Sequence, residues 1–201
     1  MTRVHIVIAT IVACSFAALV GLYAARHADT PAATTGFDGA LRPPGIPPAR
    51  FALTDQDGKL VTAASLRGRP VIVSFLYTHC RDTCPLVADQ VRGALDDLGS
   101  RSVPYVAVSV DPAGDTRASA RAFLLAHGLT GRAYFLLGSL AQLEPLWRAF
   151  GVAPQRSGNT SHDDHTASTV ILDARGLQRI GFTADHLTPE ALAHDVRSLA
   201  R

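Results

Sequence analysis

Little in this 201-residue chain is concentrated in one place. Three cysteines are too few for a disulfide-dense scaffold. Only one of the 19 basic residues is lysine, and the arginines are scattered along the chain. Without a basic stripe or block, nucleic acid is not an expected partner. No segment repeats at a period of roughly 20–50 residues, which excludes solenoids and propellers. Charged residues make up only 18% and hydrophobic residues 47%, which excludes wholesale disorder. What is present suits one packed domain of about 100–200 residues with attachments.

The first attachment is apolar. Residues 1–3 form a short basic start on the cytoplasmic side. Val4 to Ala25 is apolar or small apart from His5, and its 22 residues suffice for a spanning helix, which needs about 20. The run continues past the length of a cleaved signal core, so it reads as an uncleaved single-pass anchor. Ile11-Val12-Ala13-Cys14 resembles a lipoprotein signal. Phe16 to Ala25 stays hydrophobic beyond it, so Cys14 reads as a small apolar residue of the membrane helix. The expected location is the inner (cytoplasmic) membrane, with the soluble part facing the periplasm. Residues 26–50 hold five of the 12 prolines and read as a semi-extended linker.

From Phe51 to the end the pattern alternates. Asp57-Gly58, between two short apolar runs, signals a hairpin. Val71 to Tyr77 and Val103 to Val110 are near-continuous apolar runs, as buried strands require. A helix opened by Pro85 separates them, with Val87, Val91, Leu95 and Leu98 at helical spacing and Gly99 at its end. Asp115 or Thr116 caps a second helix running to His127. Tyr134 to Leu137 is a third strand. Ser139 with Gln142 resembles a capping box, but Pro145 predicts a break, with regular helix only from about Glu144 to Phe150. Thr169 to Leu172 and Gln178 to Phe182 flank Asp173-Ala174-Arg175-Gly176, a further hairpin. Thr188-Pro189 opens the last helix. The expected fold is α/β, a three-layer domain over residues 51–201 with a mixed central sheet. The cysteine-containing turn after the first buried strand makes it thioredoxin-like by analogy.

That turn reads Thr78-His79-Cys80-Arg81-Asp82-Thr83-Cys84-Pro85. If Cys80 starts the helix, the two cysteines share one face with Cα atoms about 6 Å apart, within disulfide range. A helix N-terminus lowers a thiol's pKa, and thiolate serves both exchange chemistry and metal binding. Two thiolates are soft ligands suited to Cu(I) or Zn(II). A loop before the Thr169 strand, Ser161-His162-Asp163-Asp164-His165-Thr166, would face the turn in a thioredoxin-like sheet. His165 there is the candidate third ligand. His79, beside Cys80, either enters the site or tunes a thiol. His27, His127, His162, His186 and His194 read as solvated residues.

Taken together, these residues resemble the Sco/SenC family of membrane-anchored copper-binding proteins. Four pieces carry the likeness: Phe75-Leu76-Tyr77-Thr78 leading to Cys80-x-x-x-Cys84-Pro85; Val108-Ser109-Val110-Asp111-Pro112 with Asp115-Thr116; Asp164-His165 before an apolar strand; and one N-terminal anchor. The resemblance implies copper bound by Cys80, Cys84 and His165 and delivered to the dinuclear copper centre of cytochrome c oxidase subunit II. Asp111 carries over only as a signature that shapes its turn.

The leading expectation is therefore a metallochaperone, which binds and transfers copper without turnover. The alternative is a membrane-anchored thiol-disulfide oxidoreductase using Cys80 and Cys84 on exported proteins. Redox thioredoxins place a proline before the strand opposite their cysteines. None occurs between Pro154 and Pro189, where His165 stands instead. A peroxidase reading rests on Thr78 and Cys80 alone, and structural zinc usually takes four ligands where three are in view.

Overall fold

The computed structural model describes residues 36–99, 103–153 and 168–200, together with His5. The segment 4–25, Cys14, His27, His162 and His165 lie outside the described residues, apart from His5 itself. Among the described residues no helix is long and apolar enough to cross a membrane.

Among the described residues, eight strands and four α-helices follow one another from residue 40. They are β1 (Ala40–Leu41), β2 (Ala52–Thr54), β3 (Leu60–Thr62), β4 (Val71–Leu76), α1 (Thr83–Asp97), β5 (Tyr105–Ser109), α2 (Arg117–Ala126), β6 (Ala133–Leu136), α3 (Leu140–Phe150), β7 (Ser168–Leu172), β8 (Gln178–Thr183) and α4 (Pro189–Leu199). Six strands form one sheet in the order β1-β8-β7-β4-β5-β6, and β2 and β3 form a separate hairpin. β4, β5 and β6 run parallel, as the intervening helices require. β7, β8 and β1 continue the sheet antiparallel. The expected mixed α/β sheet is therefore present.

Every residue of β4 and β5 is buried, because helices cover both faces. Alternate residues serve opposite cores. Ile72, Leu76, Tyr105, Ala107, Phe135 and Ile171 pack with apolar residues of α1, α2 and α4. Val73, Phe75, Val106, Val108, Leu136 and Val170 pack under α3 and the β2–β3 hairpin. A one-residue slip of either strand would exchange the two sets.

Three expectations change. Helix α3 starts at Leu140 and carries Pro145 in its interior. The Gln142 side chain accepts from Ser139 N at 2.9 Å, and α3 buries Leu143, Leu146, Trp147 and Phe150. Trp147 Nε1 also donates to Ser109 O at 2.9 Å. Tertiary packing thus outweighs the one backbone bond that Pro145 cannot donate. Second, the chain joins the domain before Phe51. β1 pairs with β8, and the Arg42 guanidinium donates to Phe150 O and to Gln178 Oε1. Third, α1 begins at Thr83, so Pro85 is its third residue, where no intrahelical N–H bond is due, and Cys80 lies before the helix.

Candidate metal centre

The parallel register carries β4 to its carboxyl end at Leu76, beside Ser109 of β5. Beyond it the chain turns through Tyr77, Thr78 and His79 to Cys80, with Cys80 N donating to Tyr77 O at 3.4 Å. Cys80 is nearly buried and Cys84, second residue of α1, fully so. The two stand as thiols. They do not share a helix face. Instead the Cys80 sulfur folds back over the helix start and accepts from Cys84 N at 3.3 Å. The opening N–H groups of a helix have no partner inside it, and a sulfur outside the helix can supply one.

This arrangement also corrects the expected direction of the thiol shift. A hydrogen bond to Cys80, followed by burial, pushes the Cys84 thiol well above its ordinary range. The helix N-terminus does not overcome them. A cation that displaces the proton relieves this penalty, since it carries the charge that the buried sulfur lacks. Tyr77, beside both sulfurs, is pushed up to about 12 by burial first and then by Cys80.

The turn is held from outside by one carboxylate. Thr78 donates to Asp115 Oδ1 twice, from its N–H at 2.8 Å and its hydroxyl at 2.7 Å. The Ser109 hydroxyl donates to Asp115 Oδ2 at 2.5 Å. Burial raises Asp115 above the ordinary carboxylate range even though these hydrogen bonds pull it down. Asp111 shapes the loop, accepting from Gly114 N at 3.0 Å on Oδ1. A Cβ on Gly114 would stand 2.2 Å from Asp111 Oδ2, so a side chain there would displace the Asp111 carboxylate. The sequence offered Asp115 or Thr116 as the helix cap. Thr116 takes that role, accepting from Ser119 N, and Asp115 is left for the cysteine turn. The available signal was two cap-type residues in a row where a helix uses one.

Of the other histidines, His79 is exposed, with Nδ1 3.1 Å from Thr78 Oγ1. His186 pairs with Asp185 and His194 with Asp38 and Asp195, both exposed as expected, whereas His127 is largely buried against Phe123 and pairs with Asp89 rather than standing solvated. Asp38, His194 and Asp195 bring three potential ligand atoms together. Both Asp195 oxygens, however, accept from the N–H groups of Asp38 and Gly39. β7 pairs antiparallel with β4, Thr169 opposite Ser74, so the chain enters β7 beside the end of β4 that leads into the cysteine turn.

Residues 43–201 match the SCO1/SenC family model. The chain belongs to the SCO1/SenC family. Protein SenC of Rhodobacter capsulatus is 29% identical over 153 residues, which span 73% of this chain and 67% of SenC. The mitochondrial SCO2 homolog of Bos taurus is 28% identical over 146 residues, 69% of this chain and 54% of that protein. Among solved structures, Bradyrhizobium japonicum ScoI with copper bound is 31% identical with a TM-score of 0.62, covering 76% of this chain and 98% of ScoI. Arabidopsis thaliana ScoI with copper bound is 25% identical with a TM-score of 0.61, covering 75% of this chain and 98% of that one. The thioredoxin-like mixed sheet of this chain is the fold of its SCO1/SenC relatives.

Proposed function

We propose that this SCO1/SenC protein is a copper metallochaperone. It holds Cu(I) or Cu(II) through Cys80, Cys84 and His165 and delivers it to the dinuclear copper centre of cytochrome c oxidase subunit II. The supporting observation is the dithiol itself. Cys80 Sγ accepts from Cys84 N at 3.3 Å, which holds both cysteines at one helix start, in a chain 31% identical to a ScoI solved with copper. Soft thiolates suit Cu(I), and a three-coordinate site leaves a position for an acceptor's ligand, so copper can leave by exchange.

His165 precedes Ser168 by three residues, which span at most about 11 Å when fully extended. Ser168 starts the strand beside the cysteine end of β4, which supports His165 as the third ligand. Residues 4–25 anchor the protein in the inner membrane, and the domain works on the periplasmic side. Thiol-disulfide exchange is the less favoured reading. Its attacking sulfur must be accessible to a partner disulfide, whereas Cys80 is nearly buried and Cys84 fully so.

The test is anaerobic Cu(I) titration of the reduced full-length chain against a competing chelator, with His165→Ala in parallel. One tightly bound copper, weakened by the variant, supports the three-ligand site. Binding indifferent to His165 removes it from the set. Failure to compete at all moves the reading to disulfide exchange.

A further inference from the structure

The carboxylate that holds the cysteine turn also decides which nitrogen His79 offers to solvent. Asp115 Oδ1 accepts from Thr78 N at 2.8 Å and from Thr78 Oγ1 at 2.7 Å. A hydroxyl has one proton, and that of Thr78 is spent on this carboxylate. A proton taken up on Oδ2, toward Ser109, would leave Oδ1 an acceptor and change nothing here. Thr78 Oγ1 can therefore only accept from His79 Nδ1, 3.1 Å away. The neutral imidazole is thus the Nδ1–H tautomer, and its lone pair lies on Nε2. His79 is exposed and is joined directly to Cys80. A ring whose far N–H is committed to an oxygen is the form in which histidine serves as a metal ligand.

His79 is not one of a converged trio. Among the described residues, the ligand atoms of His79, Cys80 and Cys84 do not all lie within 4.8 Å of one another. As they stand, the imidazole and the two sulfurs do not form one converged site.

We propose that His79 Nε2 is a docking ligand for Cu(I) outside the dithiol, held in its metal-binding tautomer by the Asp115–Thr78 relay, and that it passes the ion to Cys80. The inference rests on the copper reading above. In the step, the Cu–Nε2 bond breaks as a Cu–S bond to Cys80 forms. The displaced thiol proton goes to solvent, and no electron is exchanged, so copper stays Cu(I). A soft ion arriving on a donor's ligand meets an exposed nitrogen before it meets nearly buried sulfur. Asp115 and Thr78 are positioning residues in this scheme, and His79 alone touches the ion.

Two measurements on the reduced full-length chain test this. The first is the 15N signature of the His79 ring without metal. The Nδ1–H tautomer is expected in the wild type, with loss of that preference in Thr78→Val. An Nε2–H tautomer in the wild type overturns the relay. The second is stopped-flow transfer of Cu(I) from a chromophoric chelator complex. His79→Ala should slow uptake about tenfold, the scale of ligand-environment effects, with final copper occupancy and thiol count unchanged. Unchanged uptake kinetics in His79→Ala overturn this role and leave the dithiol site standing. No uptake by the wild type overturns both.

Discussion

Two buried carboxylates, Asp115 and Asp195, each hold a piece of chain against the domain. Asp195, fully buried on α4, takes Asp38 N on Oδ1 at 2.9 Å and Gly39 N on Oδ2 at 2.8 Å. It thereby fixes the approach to β1. Asp115 takes Thr78 and Ser109 and fixes the approach to Cys80. Each has a closely packed glycine nearby. A Cβ on Gly39 would stand 2.5 Å from the Ile180 side chain, much as one on Gly114 would strike Asp111. The partners differ. Asp195 is bonded by two backbone N–H groups and by His194, all serving a strand edge. Asp115 is bonded mainly by hydroxyls, one of which also touches His79. The same device holds a sheet edge in one region and the cysteine turn in the other.

Asp195→Ala gives the largest expected effect. It strips the acceptors from two backbone donors and leaves a hole where a charge-assisted set stood, a loss of about 2–4 kcal/mol. Denaturant unfolding should show this, with faster amide exchange at Ala40 and Leu41 and Cu(I) affinity unchanged. A fall in affinity as large as the fall in stability would break the separation between the two carboxylates.

Asp115→Ala should cost less stability, about 1–2 kcal/mol, because burial already opposes the charged carboxylate and offsets part of what its hydrogen bonds supply. Its expected mark is on the site instead. Releasing Thr78 loosens the turn that presents Cys80, and Cu(I) affinity should fall about tenfold, equivalent to about 1.4 kcal/mol. Competition titration beside Asp195→Ala decides the matter. Equal affinities in the two variants would mean that the Asp115 contacts are no more than scaffolding.

These carboxylates also mark where sequence reading stops. The buried strands β4 and β5 are visible as apolar runs, because helices on both faces leave no polar alternation to hide them. The caps Thr116 and Thr188 are visible because a helix start is a local event. The dithiol and its position at a strand-to-helix turn are local too. β1 is invisible, since two residues show no period and only pairing with β8 makes them a strand. Pro145 misleads, since its local penalty is legible while the burial of Trp147 that overrides it comes from the other elements. Asp115 reaches Thr78 across 37 positions, and nothing in the spacing shows that reach. The fold of Cys80 Sγ onto Cys84 N is hidden as well, because four-residue spacing alone suggests one helix face.

The smallest expected effect is a slope. Burial raises Asp115 in the folded state, so the native protein holds that proton more tightly than the unfolded chain, whose aspartates titrate near about 3.9. Where the native state binds the extra proton, stability falls as pH rises. The contribution is fully present below about pH 4 and is lost as pH climbs through the folded-state value. Asp115→Asn keeps an oxygen for both Thr78 donors and presents an amide to Ser109 Oγ, but it has no proton to lose. Its stability should gain on the wild type from about pH 4 upward, by about 1.4 kcal/mol for each unit separating the folded and unfolded values. Urea midpoints for the two proteins across that range would show it. Parallel curves would mean that the hydroxyls around Asp115 compensate its charge fully, and the contrast with Asp195 would then rest on location alone.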